Sequence, residues 1–249
     1  MKDKIQVFGI EIDNIGLNEV YGWVDTVIKG EMKGYVVNPN VDQIVKLETD
    51  LEYREIYRNA DLVLNDSVII KRSARLLGHR MQEKLSGSDL LPLMCSYAAD
   101  KGYGVYFLGG MPGVAETAKE KLISKYPELK VVGTYSPPFG FEKDNKEIAE
   151  IISRINAVKP EILFIGLGAP KQERFTYNFI NEMDTNVVFC TGAAIDFQAG
   201  HVKRAPKIVQ RMGMEWFYRF LREPKRLFKR YFVNDMRFFA ILVKALFKR

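Results

Sequence analysis

Ile162-Leu163-Phe164-Ile165-Gly166-Leu167-Gly168-Ala169-Pro170-Lys171-Gln172-Glu173 is the stretch that decides the fold class. A short apolar run gives way to a glycine-bearing loop, then to a helix-starting proline and a Lys-Gln-Glu cluster on the first helical turn. The same succession recurs along the chain. Tyr35-Val36-Val37 leads into Asn38-Pro39-Asn40, and Leu62-Val63-Leu64 into Asn65-Asp66-Ser67. Val105–Leu108 leads into Gly109-Gly110-Met111-Pro112-Gly113, and Val187–Cys190 into Thr191-Gly192-Ala193-Ala194-Ile195-Asp196. Short β-rich runs alternating with helix-length amphipathic stretches predict an α/β fold with a largely parallel sheet.

Working outward, a hairpin is expected over Ile5–Ile12 and a further strand at Lys130–Val132. Helices are expected near Leu17–Ile28, Val41–Leu47, Val68–Leu77, Asp89–Asp100, Val114–Lys125, Lys143–Val158 and Lys171–Asn181. Gly78 and Gly102 stand where helices commonly stop, Ser88 is placed to cap a helix beginning at Asp89, and Pro112 suits a helix start. The alternation ends around Gly200–Pro206, which divides a core of residues 1–200 from an appendage of residues 201–249.

That appendage carries the positive charge. From His201 to Arg249 there are 14 Lys and Arg against 3 Asp and Glu, about +11, while the preceding residues are net about −5. Phe217, Phe220, Leu221, Leu227, Phe228, Tyr231 and Phe232 recur at helical spacing with Arg219, Arg222, Arg226, Lys229 and Arg230 mainly between them. A basic amphipathic helix pair of this kind suits an anionic membrane surface or an acidic partner. Because the charge is confined to one end, it is no general nucleic-acid signature. An aromatic stripe that buries against protein or lipid also argues against base stacking, so no nucleic-acid partner is expected.

At 249 residues and 47% hydrophobic content, the chain has material for a full core. Cys95 and Cys190 sit in apolar runs and read as reduced core residues, which points to the cytoplasm. The opening MKDKIQVFGIEID lacks a hydrophobic segment of signal-peptide length, and Phe238–Val243 is far too short to cross a bilayer. Membrane contact is therefore expected to be peripheral, on the inner face. Self-association is left open.

In open parallel sheets ligands bind beyond the carboxyl ends of the strands, so the turns quoted above hold the candidate site residues. Gly109 and Gly110 either present backbone N–H groups to phosphate oxygens or only make a tight turn. A full G-x-G-x-x-G is absent, and the strand ending at Gly133-Thr134 carries no acidic residue to grip a ribose, so no nicotinamide cofactor is expected. Asp66 is either a carboxylate facing a cleft, able to take a proton from an attacking hydroxyl, or the N-cap of the helix after it. Asp196 shares that ambiguity as a turn residue. Gln172 can both donate to and accept from a neutral hydroxyl or amide and Lys171 can meet a phosphate, or both simply begin a solvated helix. No Asp-x-Asp occurs and His79 and His201 are isolated, so no divalent-metal site is expected. Ser67 and Ser88 lack a His or Lys partner at a hydrolase spacing.

In this order VVNPNVDQIV, ADLVLNDSVII, SARLLGHRMQEKLSGSDLLP, VYFLGGMPGVAE, FIGLGAPKQE, GAAIDFQAG and RAPKIVQRMGMEWFYRFLREPKRLFKRY resemble one family over nearly the whole chain. It is the family of bacterial glycosyltransferases that includes the N-acetylmannosaminyl transferases of wall teichoic acid synthesis and the N-acetylmannosaminuronic acid transferases of enterobacterial common antigen. The resemblance implies a Rossmann-like α/β domain with a C-terminal appendage that reaches the membrane and completes the active site. It implies inverting, metal-free and cofactor-free transfer of a sugar from a UDP-sugar donor to a polyprenyl-diphosphate-linked sugar. By the same resemblance Asp66 matches a general base, Asn40, Gln172 and Asp196 match polar positions around the nucleotide sugar, and Arg219 and Arg226 match arginines that neutralise the leaving diphosphate. Asn38 stands where the family usually has Thr, Ser67 where Gly commonly follows the Asp, and Lys84 where Arg is usual. Lys84 keeps the charge but not the bidentate geometry. Asn38, Lys84, Gly109 and Gly110 join the expected substrate contacts. A UDP-sugar-binding membrane scaffold without turnover is the competing reading, and Asp66 discriminates between the two.

Overall fold

The computed structural model describes residues 3–247. In chain order the first elements are β1 (Lys4–Val7), β2 (Ile10–Asp13), α1 (Leu17–Lys29), β3 (Gly34–Val37), α2 (Val41–Thr49), α3 (Leu51–Arg58), β4 (Leu62–Val63) and α4 (Val68–Leu76). There follow α5 (Gly87–Lys101), β5 (Gly104–Gly109), α6 (Val114–Lys125), β6 (Lys130–Tyr135), α7 (Asn145–Val158), β7 (Ile162–Gly166), α8 (Lys171–Phe179), β8 (Val187–Cys190) and α9 (Ala194–Ala199). The basic tail folds as α10 (Lys207–Met212), α11 (Glu215–Arg222), α12 (Pro224–Lys229), a π-helical turn at Arg230–Asn234, and α13 (Arg237–Phe247). No helix among the described residues is long and apolar enough to cross a membrane.

The chain forms two compact units. One comprises residues 1–16, 38–85 and 203–249; the other comprises Leu17–Val37 and Ser86–Val202. In the second unit β3, β8, β7, β5 and β6 lie side by side in that order, every pair parallel. Val105 stands opposite Ile162 and Ile162 opposite Val187, so the apolar runs line up across the sheet. β3, β5 and β8 are buried along their whole length, which is why these strands read as continuous apolar runs with no alternation. Phe107, Phe164 and Phe189 stack through the middle, with centroids 5.8 and 5.5 Å apart. β6 lies at the edge and is half-exposed.

Helix ends account for most differences from the sequence reading. Ser86, not Ser88, caps the helix after the first loop, because its hydroxyl accepts the N–H of Asp89 and the helix already begins at Gly87. α6 starts at Val114, two residues beyond Pro112, since the N–H of Val114 closes a turn on the carbonyl of Met111. α7 begins at Asn145 behind an Asp144 cap. α3 was not expected; Asp50 both ends α2 and caps α3 by accepting the N–H of Tyr53.

In the first unit β1 and β2 form the expected hairpin, pairing Val7 with Ile10 across Phe8 and Gly9, both at positive φ. Two such residues make the mirror-image turn whose twist suits a tight hairpin. Phe8 accepts that conformation, strained for a bulky side chain, while its ring packs 5.2 Å from the buried ring of Phe238 in α13. Tail and hairpin thus share a core. Asp13 at the end of β2 accepts the N–H of Val63 in β4 at 2.9 Å.

Candidate active site

In the first unit three loops are tied together by main-chain groups. The N–H of Asp66 donates to the carbonyl of Pro39 at 3.2 Å, and the N–H of Leu85 to the carbonyl of Asn65 at 2.9 Å. The carboxamide of Asn38, itself buried, donates to the carbonyl of Leu85 at 2.7 Å. Asn38, Asp66 and Lys84 are therefore carried on adjoining loops. Only the first two were flagged by strand-end position; Leu85, whose backbone links all three loops, bears no signal in the sequence.

Within this cluster Asp66 is not the helix cap. Ser67 is: its Oγ accepts from the N–H groups of Ile69 and Ile70 at 3.1 and 3.4 Å. Of the two readings of Asp66, the capping role thus belongs to its neighbour, and the half-buried Asp66 stands one residue before that cap, two before the helix. Asn40 has a clear local role. Its Oδ1 accepts from Asp42 and Gln43 at the start of α2, and Gln43 returns a bond to the N–H of Asn40, completing a capping box.

The tail comes against the same unit. Gly213 ends α10 at positive φ, and a methyl group there would stand 3.0 Å from Val68, the first residue of α4. The turn into α11, which carries Arg219, is thereby set beside the helix that follows Asp66. Arg226 on α12 is mostly exposed and pairs with Glu223 one turn away, holding that carboxyl below its usual range. Arg230, not singled out for chemistry in the sequence, reaches Asp42 at 3.5 Å.

In the second unit the strand-end turns have strict steric reasons for their glycines. Gly109 has φ of 127°, and a side chain there would meet the Gly166 carbonyl oxygen at 2.5 Å. Gly110 donates back to that same oxygen at 3.4 Å. Close approach of β5 and β7 thus accounts for the pair whether or not a phosphate binds. α6 behind them has no side-chain cap, so its first turn keeps the character of an anion-accepting helix start.

Gln172 at the start of α8 is buried. Its Oε1 accepts the N–H of Gly192 at 3.0 Å and its Nε2 donates to Glu173 at 2.9 Å. Lys171 forms an ion pair with Glu142 at 2.6 Å and lies over the ring of Phe139, which is wholly exposed. Asp196 falls in the first turn of the short α9, half-buried, just beyond the Thr191–Gly192 turn. Burial, with the Glu173 carboxylate adding to it, pushes the Cys190 thiol well up, as fits a reduced, inert core cysteine.

Known proteins resemble this chain over most of its length. The N-acetylglucosaminyldiphosphoundecaprenol N-acetyl-beta-D-mannosaminyltransferase of Bacillus subtilis (strain 168) is 30% identical over 177 residues, spanning 71% of this chain and 67% of its own. The enzyme of the same name from Bacillus spizizenii (strain ATCC 23059 / NRRL B-14472 / W23) is 29% identical over 204 residues, spanning 82% of this chain and 77% of its own. The model of the glycosyl transferase WecG/TagA/CpsF family matches residues 5–249. With its parallel sheet, its strand-end turns and its helical basic tail all inside that match, the chain belongs to the WecG/TagA/CpsF family of glycosyl transferases.

Proposed function

We propose that this chain transfers N-acetylmannosamine, or a related hexose derivative, from a UDP-sugar to a polyprenyl-diphosphate-linked sugar, with inversion and without a metal. The relatives' names supply the sugar and the lipid-diphosphate acceptor. Cell-surface polysaccharide or teichoic acid synthesis is the setting such a product fits. The observation that carries the catalytic reading is the capping of α4 by Ser67, which relieves Asp66 of that duty while Pro39 and Leu85 fix the loops around it.

In the reaction a hydroxyl of the acceptor sugar attacks the anomeric carbon of the donor as Asp66 takes its proton. The bond from that carbon to the diphosphate oxygen breaks, and UDP departs with the electron pair on the face opposite the attack. Arg219 and Arg226 neutralise the charge that develops on the leaving group, a task worth most where water is excluded. For Arg226 that means exchanging its surface partner Glu223 for phosphate. Asn38, Asn40, Lys84, Gly109, Gly110, Gln172 and Asp196 are the proposed contacts to substrate, Asn40 and Gln172 also serving as local structural ties. The tail's excess of Lys and Arg and its outward Phe and Leu side chains favour an anionic membrane surface, at the cytoplasmic face where a lipid-linked acceptor is presented. The appendage of residues 201–249 includes positions 248 and 249, which lie outside the described residues.

A donor screen tests the proposal. The protein is incubated with a lipid-diphosphate N-acetylglucosamine analogue and a panel of UDP-sugars, and UDP release is followed with product anomeric configuration. UDP-N-acetylmannosamine should be turned over to a product of inverted configuration. Binding of UDP-sugar without any UDP release would establish the scaffold reading instead.

A further inference from the structure

The Thr191–Gly192 turn is closely approached from three sides. A side chain on Gly87 would meet the Thr191 backbone at 2.8 Å, and one on Gly166 would meet the Gly192 carbonyl at 2.8 Å. From the third side comes Gln172, whose Oε1 takes the Gly192 N–H. A carboxamide can face an N–H with either end, and only the oxygen end accepts. Something must choose. Glu173 does so, because its Oε1 accepts a hydrogen bond from Nε2 of Gln172 at 2.9 Å, which leaves the oxygen end of the amide for Gly192. Glu173 is completely buried. Thr176 anchors the same helix turn by donating to the Gln172 carbonyl, and its hydroxyl lies 3.5 Å from Cys190 Sγ at the end of β8.

We propose that Glu173 is a positioning residue, which acts through the carboxamide of Gln172 to hold the Gly192 turn and, beyond it, the first turn of α9 with Asp196. The step from turn to donor affinity rests on the proposed contact of Asp196 with the nucleotide sugar; the step from Glu173 to the turn does not. Gln172, engaged at both ends, works on the same turn.

The test uses the full-length protein and two readouts, hydrogen exchange at the Gly192 amide and steady-state kinetics with the UDP-sugar donor. Glu173→Gln keeps an acceptor for Nε2, so exchange, KM and kcat should stay within about twofold of the parent. Glu173→Leu frees the carboxamide to turn its NH2 towards Gly192; exchange should rise about tenfold or more, donor KM about tenfold, and kcat should change little. In Gln172→Glu two carboxylates face each other and the turn should open, whereas the swapped pair Gln172→Glu with Glu173→Gln restores one donor and one acceptor and should close it. That swap keeps the test decisive even where Glu173→Leu does not fold. A large fall in kcat for Glu173→Gln would show that the charge itself acts, and would overturn the positioning role. Unchanged Gly192 exchange in both Glu173→Leu and Gln172→Glu would overturn it as well. If the parent protein turns over no UDP-sugar while these variants still open the turn, the transferase reading fails and the positioning role stands.

Discussion

Arg230 of the tail points its guanidinium at Asp42 on α2, Nη2 to Oδ2 at 3.5 Å, and Asp42 is buried and held from its own helix by Lys46 at 2.6 Å. Asp235 lies in the same group of charges. Burial is the largest cause that pushes its pKa up, to about 6; Asp42 adds to the rise while Arg230 and Lys46 oppose it. An unfolded aspartate titrates near 3.9. The folded state thus binds this proton more tightly, so the contribution to stability is full below about pH 4 and is lost as pH rises through about 6. Asp235→Asn should therefore raise the melting temperature at about pH 7.5 and leave it unchanged at about pH 4, with a gain on the order of 1 kcal/mol after discounting for partial exposure. Thermal melts of both proteins across that range check the sign; equal curves at both ends would remove Asp235 from the account.

Asp66 and its neighbour Ser67 separate chemistry from stability. Asp66→Asn keeps the shape and loses the proton acceptor, so turnover with saturating acceptor should fall about 10²- to 10⁴-fold with little change in UDP affinity. Ser67→Ala removes the cap of α4 and should cost about 1 kcal/mol of stability while sparing kcat. Wild-type turnover in Asp66→Asn would leave the proton acceptor unassigned.

The strand-and-turn plan was legible because fully buried strands announce themselves as unbroken apolar runs, and YVV, VYFL, ILFI and VVFC are such runs. The hairpin at Ile5–Ile12 was legible too. Contacts that bind distant segments were not. The bond from Gly192 to Gln172 joins residues far apart in sequence, and nothing local in PKQE tells which end of the amide faces the turn. Ser86 and Ser88 are equally good caps by composition; the choice falls to Ser86 because the helix already starts at Gly87. Beyond the stripe of Phe217 to Phe232, the run Phe238–Val243 gave no sign of which side faces protein, since Phe238 and Phe239 are identical to any composition argument.

Activity should persist in EDTA. Among the described residues no group of three His, Cys, Asp or Glu side chains is placed to hold a metal ion. In the proposed metal-free reaction Arg219 and Arg226 serve the leaving diphosphate as fixed cations. Turnover abolished by chelation and restored by Mg²⁺ or Mn²⁺ would contradict this.

Arg219→Ala and Arg226→Ala should each depress transfer strongly while barely changing attachment to anionic vesicles. One charge among many near a membrane surface is worth about 1 kcal/mol or less and is screened by salt. Co-sedimentation and UDP release on the same preparations separate the two effects. A variant that loses vesicle binding and transfer in equal measure would make the arginine an anchor, with no part in the chemistry.

Two adjacent phenylalanines of α13 give the sharpest test of how the tail is used. Phe238 is 1% exposed and packs on Phe8, whereas Phe239 is 57% exposed and shares its side of the helix with Val243 and Leu246, four and seven residues on. Lys244 pairs with Glu48 of α2, so the helix is held against its unit by charge as well as by the Phe238 ring. Phe238→Ala should then unfold this unit more easily, by about 3–5 kcal/mol for a buried ring, with a matching fall in melting temperature. Phe239→Ala should leave stability within about 0.5 kcal/mol, as an exposed position does. On vesicles the order reverses: an inserted Phe239 adds apolar contact that high salt does not screen, so Phe239→Ala should detach at lower ionic strength than the parent protein. If Phe239→Ala sediments with vesicles as the parent does at every salt concentration, the outward stripe of α13 does not enter lipid, and attachment rests on the tail's charges alone.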